Sequence, residues 1–248
     1  MDKHINALLN LHCMNIYTKQ MLKKGFELNV HHLKVLKYID VHHEQEIFTT
    51  QEFKRLLQIN QTMITHVISY LHDLGYYKKE RSKTDERKVH IIVETRHKIK
   101  IKQLFQEVNQ AFQLEFEDKV ITYNKENLIG DMVSSYNIIS SLNHFVNDKR
   151  DLNIDHVMIL LYLYQSNNEL CTLKELENKF NWDIVKINKT IKKLAKMNYI
   201  FKERNRIDER VVLVSINKDV EVEVKNVIDE VVDEYYENIE ECPVAMVK

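Results

Sequence analysis

The sequence predicts a mainly α-helical protein with small β-hairpins (α+β), assembled from two tandem copies of one domain. Three observations carry this. The 248 residues include only 3 Gly and 1 Pro, where average usage would give roughly 17 and 12. Gly25, Gly75 and Gly130 lie far apart and Pro243 sits near the end. Neither a turn-rich β-sandwich nor a glycine-rich phosphate loop can be assembled from them. Apolar residues also recur at helical spacing, and at 44% of the chain, with 29% charged, they suffice for a buried core. Finally, the chain matches itself at a shift of 123 residues. Lys79-Glu80-Arg81-Ser82-Lys83-Thr84-Asp85-Glu86-Arg87 aligns with Lys202-Glu203-Arg204-Asn205-Arg206-Ile207-Asp208-Glu209-Arg210. Upstream the shift becomes 124, where Leu28-Asn29-Val30 and His32 meet Leu152-Asn153-Ile154 and His156. A period this long means two domains, not a solenoid.

Each copy reads in the same order. Ile5 to Lys24 is an amphipathic helix closed by Gly25, and Asn29 caps a second helix through about His42. Thr49 or Thr50 caps a short helix ending near Leu57. Asn60 caps the next, whose Ile64, Val67, Ile68, Leu71 and Leu74 share a face, with Gly75 where a helix-closing glycine belongs. Residues 76–81 and 88–94 read as short strands flanking a charged loop at 82–87, and a long helix follows at about 96–120. The second copy gives helices near 126–147, 153–166, 173–181 and 184–197, strands near 199–204 and 211–216, and a last helix over about 218–239. Domain 1 is expected at 1–121, a short junction at 122–126, and domain 2, with its acidic C-terminal helix, at 127–248.

This element order is that of a winged helix-turn-helix, here two in tandem with expected pseudo-twofold symmetry. In such a domain the second close-set helix enters the DNA major groove and the hairpin lies along the backbone or in the minor groove. The paired hairpins with Asp-Glu-Arg at their tips resemble the SarA/MarR-type transcription regulators of staphylococci, and the duplicated length resembles their two-domain subgroup. The resemblance implies a regulator of virulence or surface genes acting on A/T-rich promoter DNA, one chain imitating a homodimer. It also implies DNA contact by Arg81, Arg87, Arg204 and Arg210.

The charges point to nucleic acid independently. The formal net charge is only −1, but residues 78–102 hold ten Lys or Arg against four Asp or Glu, a net +6. Residues 174–210 hold eleven against six, a net +5, and residues 219–241 one against ten, a net −9. Backbone affinity needs a local basic face, not a basic protein. In the second reading helix Lys186, Lys189, Lys193 and Lys196 form one stripe opposite Ile184, Ile187, Ile191 and Leu194. Phosphates, guanine edges or solvent could take that stripe. The first reading helix instead shows Gln61, Thr62, Thr65, His66, Ser69 and Tyr70, side chains that read base edges or bond phosphates without net charge. The two half-sites are therefore not expected to be read identically. Lys83 and Arg206 are further wing candidates, and Asp85, Glu86, Asp208 and Glu209 are expected to brace the wing arginines. If those acids neutralised the arginines completely, the wings would be structural only.

Other chemistries find no support. Cys13, Cys171 and Cys242 are too far apart for a disulfide framework or a C-x-x-C metal site. Twelve histidines show no metal-ligand spacing, so solvated or capping roles are expected, with no metal and no cofactor. No nucleophile, base and orienting group can be proposed, so the chain is not read as an enzyme. Cys13 is either a small core residue or, as some relatives suggest, a redox-sensitive thiol. The longest apolar run, Val157 to Tyr164, is about half a bilayer span, so no membrane association is expected and the cytoplasm is the expected setting. The partner is double-stranded DNA, bound by a monomer acting as an internal pseudo-dimer. The alternative is a protein-interaction module using the acidic C-terminal helix.

Overall fold

The computed structural model describes residues 2–81, 89–116, 124, 126–166 and 170–241. The first repeat runs α1 (Asp2–Gly25), α2 (Val30–Val41), β1 (Ile47–Thr49), α3 (Thr50–Leu57), α4 (Gln61–Asp73), β2 (Lys78–Arg81), β3 (Val89–Ile92) and α5 (Thr95–Phe116). The second runs α6 (Leu128–Arg150), α7 (Ile154–Gln165), β4 (Cys171–Thr172), α8 (Leu173–Phe180), α9 (Ile184–Lys196), β5 (Ile200–Arg204), β6 (Val212–Ile216) and α10 (Glu221–Glu241), the last preceded by a 3₁₀ turn. The predicted order of helices and hairpins is present in both.

Sequence signals set the helix starts in matching ways. Asn29 Oδ1 accepts the His32 N–H at 3.0 Å while His32 Nδ1 accepts the Asn29 N–H at 3.1 Å. Asn153 and His156 repeat this box at 3.0 and 2.9 Å, and His97 Nδ1 accepts the Glu94 N–H at 2.9 Å at the start of α5. An imidazole serves here as the N3 acceptor that is more often Glu or Gln. Its Nδ1 must stay unprotonated to do so, and burial together with the charge of His31 pushes His32 down to about 4. Burial lowers His97 and His156 as well. These three histidines are capping residues as expected; His12, fully buried, departs from that expectation.

The duplication extends to backbone conformation. Left-handed residues recur at Glu27 and Asp151, at Gln58 and Asn181, and at Gly75 and Asn198. Gly75, at φ 73°, closes α4, and asparagine tolerates the same region in the second copy.

Each hairpin is joined by a third strand that the sequence does not announce. β3 lies between β1 and β2, and β6 between β4 and β5, all antiparallel. Phe48 pairs with Ile91, and Cys171 with Val214. β1 and β4 span three and two residues, too short for alternation to register.

The molecule divides into two compact units. Among the described residues the first comprises 17–134, and the second combines 2–16 with 135–241. The bounds of these units differ from those expected for the domains, 1–121 and 127–248. In the second unit, Ile5, Leu8 and Leu9 of α1 join a core with Leu142, Leu160, Leu176, Phe180, Ile191 and Ile228. Asn6 Oδ1 there accepts the Gln165 amide at 2.9 Å. The first unit buries Leu33, Leu36, Ile64, Leu71, Tyr77 and Phe112, with Phe48 and Phe53 stacked at 5.8 Å. Such aromatic pairs add to what area burial alone contributes.

Candidate nucleic-acid interface

In the first unit α3, a three-residue turn and α4 form a helix-turn-helix. Thr49 caps α3 in a reciprocal box with Glu52; Gln58, left-handed at φ 52°, ends it; Asn60 caps α4 by accepting the Met63 N–H at 2.9 Å. The second unit repeats the device. Thr172 and Glu175 box α8, Asn181 ends it at φ 51°, and Asp183 accepts the Lys186 N–H at 2.7 Å. Each cap satisfies orphan N–H groups and fixes the angle at which the next helix leaves the turn.

The inner face of α4 buries Ile64, Val67, Ile68 and Leu71; that of α9 buries Ile187, Thr190, Ile191 and Leu194. Ile184, expected on the apolar face, is exposed, because at the first turn of α9 it lies beyond the core and Thr190 fills the buried stripe instead. On α4 the exposed residues are Gln61, Thr62, Met63, Thr65 and His66 in its first two turns and Asp73 at its end. Ser69 and Tyr70 are half-buried and engaged. Ser69 Oγ accepts from Lys79 Nζ at 3.3 Å, and the Tyr70 hydroxyl donates to the Glu27 carbonyl at 2.8 Å while its ring stacks on His32.

The lysine stripe of α9 splits. Lys186 pairs with Asp155 at 2.9 Å and lies 4.0 Å over the Trp182 ring; Lys193 pairs with Asp151 at 2.9 Å. Burial alone would raise the Asp155 carboxyl, but the hydrogen bond to His12 and the charge of Lys186 outweigh it and hold it at about 2. Lys189, Lys192 and Lys196 are the exposed lysines of the helix, beside Val185 and Asn188. Lys192 is not among the residues the stripe singles out, although its place one turn from both Lys189 and Lys196 could have indicated it. On α3, Gln51, Lys54 and Arg55 also go unmarked in the sequence. With Gln58, Gln61 and Val89 they line a groove of about 890 Å³ between α3, the start of α4 and β3.

Of the wing candidates, Lys83, Arg87, Asp85 and Glu86 lie outside the described residues. Arg81 ends β2 and is exposed, as are Arg204 and Arg206. Asp208 accepts from Arg210 Nε at 3.0 Å and Nη2 at 3.1 Å, and from the Arg210 N–H at 3.1 Å. This pairing holds the Asp208 carboxyl below its usual range and raises the Arg210 guanidinium. Arg210 keeps 91% of its side-chain surface exposed, so the pair orients the guanidinium without covering it. Glu209 acts through its backbone: its carbonyl, not its carboxylate, accepts from Arg204 Nη1. Asn205 Oδ1 closes the turn by accepting the Ile207 N–H at 2.7 Å.

Elsewhere, Cys13 is buried with its Sγ 3.8 Å from the Lys179 carbonyl. On α10, Glu230 pairs with Arg150 and Glu223 accepts from the Tyr199 hydroxyl at 3.0 Å. Among the described residues no group of three His, Cys, Asp or Glu is placed to hold a metal ion, and no helix is long and apolar enough to cross a membrane.

Two helix-turn-helix elements, each followed by a hairpin wing, define a tandem winged-helix transcription regulator. The family model described as transcriptional regulator SarA/Rot matches residues 17–104 and 141–228, and the chain belongs to that family. It is 24% identical over 221 residues to the HTH-type transcriptional regulator SarU of Staphylococcus aureus (strain NCTC 8325 / PS 47), covering 86% of this chain and 87% of that one. It is 29% identical over 109 residues to the transcriptional regulator SarA of S. aureus (strain Newman), covering 43% of this chain and 87% of the relative. Among solved structures, the multiple antibiotic resistance repressor MarR matches 50% of this chain and 86% of its own with 17% identity and a TM-score of 0.41. A mutant E. coli MarR complexed with operator DNA matches 46% and 82% with 16% identity and a TM-score of 0.36.

Proposed function

We propose that this regulator binds double-stranded DNA through both units as a monomer, placing α4 and α9 in major grooves and the β2–β3 and β5–β6 hairpins against the flanking backbone or minor groove. The observation that carries this is the coincidence, twice in one chain, of a capped helix with an exposed polar or basic face and a hairpin bearing exposed arginine. A/T-rich promoter sites are the expected targets, because an arginine at a wing suits the strongly negative, narrow minor groove of A-tracts. The control of virulence or surface genes and a cytoplasmic setting follow from the same reading.

Binding to an A/T-rich duplex, followed at several salt concentrations, tests the proposal. Affinity should fall steeply with salt, and the double variant R87A/R210A should bind more weakly with an unchanged melting curve. Retained affinity in that variant would remove the wings from the interface. Sedimentation of protein and complex should show one chain per smallest tight site; two chains would refute the monomer.

A further inference from the structure

We propose that the two units divide the work on DNA: α4 discriminates base sequence, whereas α9 clamps phosphates, so that one half of the operator is read and the other is held. This rests on the DNA-binding reading above and names what each unit does with it.

The residues nearest the start of a recognition helix are those that meet base edges. On α4 these are Gln61, Thr62, Thr65 and His66, with Met63 exposed among them. A glutamine amide presents a donor and an acceptor side by side, the pattern that matches adenine N6 and N7, and methyl groups of Thr and Met suit the thymine methyl. The same positions of α9 hold Ile184, Val185, Asn188 and Lys189, followed on the outer face by Lys192 and Lys196. An ammonium only donates; it can meet guanine O6 or N7, but it takes any phosphate oxygen as partner, and three along one face suit a backbone that positions the helix without selecting sequence.

The supporting helices carry the complementary half of the argument. Lys54 and Arg55 of α3 line the groove beside Gln61, and at the same repeat positions α8 has Glu177 and Asn178. In the first unit the backbone can thus be held from α3, which leaves α4 to face the bases. In the second, α8 has Glu177 where α3 has Lys54, and its exposed Lys174 and Lys179 are matched in number by Glu175 and Glu177, so most of the positive charge comes from α9. Part of that supply is tied up, since Lys186 and Lys193 are paired with Asp155 and Asp151. Lys189, Lys192 and Lys196 remain as the clamp.

Selection of bound sequences from a pool of random duplexes, using the whole chain, tests the division. One half-site should emerge well defined and the other degenerate. The variant Q61A/T62A/T65A should lose about tenfold or more of its preference for the selected duplex over random duplex, with little change in salt dependence. The variant K189A/K192A/K196A should keep that preference while its log–log salt slope flattens by about 2 to 3, near 0.9 for each phosphate that is no longer neutralised. All the altered side chains are exposed, and matching melting curves check the fold. Two equally defined half-sites, or the opposite pattern in the two variants, would overturn the division while leaving DNA binding intact. No salt-dependent binding by the unaltered protein would instead overturn the DNA-binding reading itself.

Discussion

Tyr70 on α4 and Lys193 on α9 occupy equivalent places in the repeat, and each ties its helix to a left-handed residue, the one before α2 in the first unit and the one before α7 in the second. Tyr70 does so by a neutral hydrogen bond to the Glu27 carbonyl, and Lys193 by an ion pair to the Asp151 carboxylate. The backbone device is the same while the side-chain chemistry has been exchanged. The exchange goes further on the other flank, where the second unit has a network built from residues that differ at the matching positions of the first. His12, Asp155, Lys186 and Trp182 are linked by a 3.2 Å contact, a 2.9 Å ion pair and a cation–π contact at 4.0 Å. The matching positions to the last three are His31, Met63 and Ile59. Duplication thus preserved what sets the direction of the reading helix and released what surrounds it. One helix carries no lysine or arginine on its outer face and the other is cationic.

The largest expected difference between the units lies under that network. Trp182 is buried, stacks on Phe180 at 4.8 Å and meets His12 edge-on at 5.7 Å. Trp182→Ala should cost about 3–5 kcal/mol of stability in denaturant unfolding. Ile59→Ala, at the equivalent but half-buried position, should cost about 1 kcal/mol. Equal losses would mean that the two turns are supported alike.

The next effect is ionic and confined to the second unit. The Asp155 carboxyl is held at about 2 in the folded chain, below its ordinary value. A depressed carboxyl contributes stability that is fully present above pH of about 4 and is lost as pH falls through its folded value. Asp155→Asn should therefore remove about 2 kcal/mol at pH 7 and lose most of its disadvantage near pH 2. Urea unfolding at the two pH values measures this, and a variant equally weakened at both would show that shape, not charge, matters at this position.

Much of this architecture is legible in the sequence because its signals are local. Asn29, Asn60, Asn153 and Gly75 announce helix ends through their own side chains or lack of one, and the spacing of Ile64, Val67, Ile68 and Leu71 fixes which face turns inward. What escapes depends on partners distant along the chain. Periodicity shows that the start of α1 has an apolar face but not that Val157, Leu160 and Ile228 share its core. The lysine stripe of α9 is visible, yet nothing in its spacing says that Asp151 and Asp155 lie along one edge of it. The groove beside α3 is hidden for the same reason: Lys54 and Arg55 acquire meaning only once α3 is set against α4 and β3.

A further prediction concerns what both units share. His32 must be unprotonated at Nδ1 to accept the Asn29 N–H, and burial holds it at about 4. A histidine whose folded value is lowered favours the folded state above its ordinary range and destabilises it as pH falls toward the folded value. Between pH 7 and pH 5 the loss should be about 1–2 kcal/mol. His32→Gln keeps an N3 acceptor that does not titrate, so its stability should vary less over this window. His156, lowered in the same direction in the second unit, should leave a residual dependence that the double variant H32Q/H156Q reduces further, with His97 still contributing. An undiminished pH dependence in the double variant would place the titrating groups elsewhere.

The smallest effect separates the two anchors most directly. Tyr70→Phe deletes one hydroxyl while keeping the ring on His32, and loss of the bond to the Glu27 carbonyl should cost about 1 kcal/mol. Because that bond joins neutral groups, the cost should be the same at low and high salt. Lys193→Ala breaks a pair whose Asp151 side chain is 84% exposed, so its effect on stability should be smaller than that of Tyr70→Phe and should fade as salt screens it. Chemical denaturation of both variants at two salt concentrations gives the comparison. A salt-dependent cost for Tyr70→Phe, or a salt-independent one for Lys193→Ala, would mean that the two repeats do not hold their reading helices by different physical means. The helix faces would then differ in charge for reasons unconnected with how each is anchored.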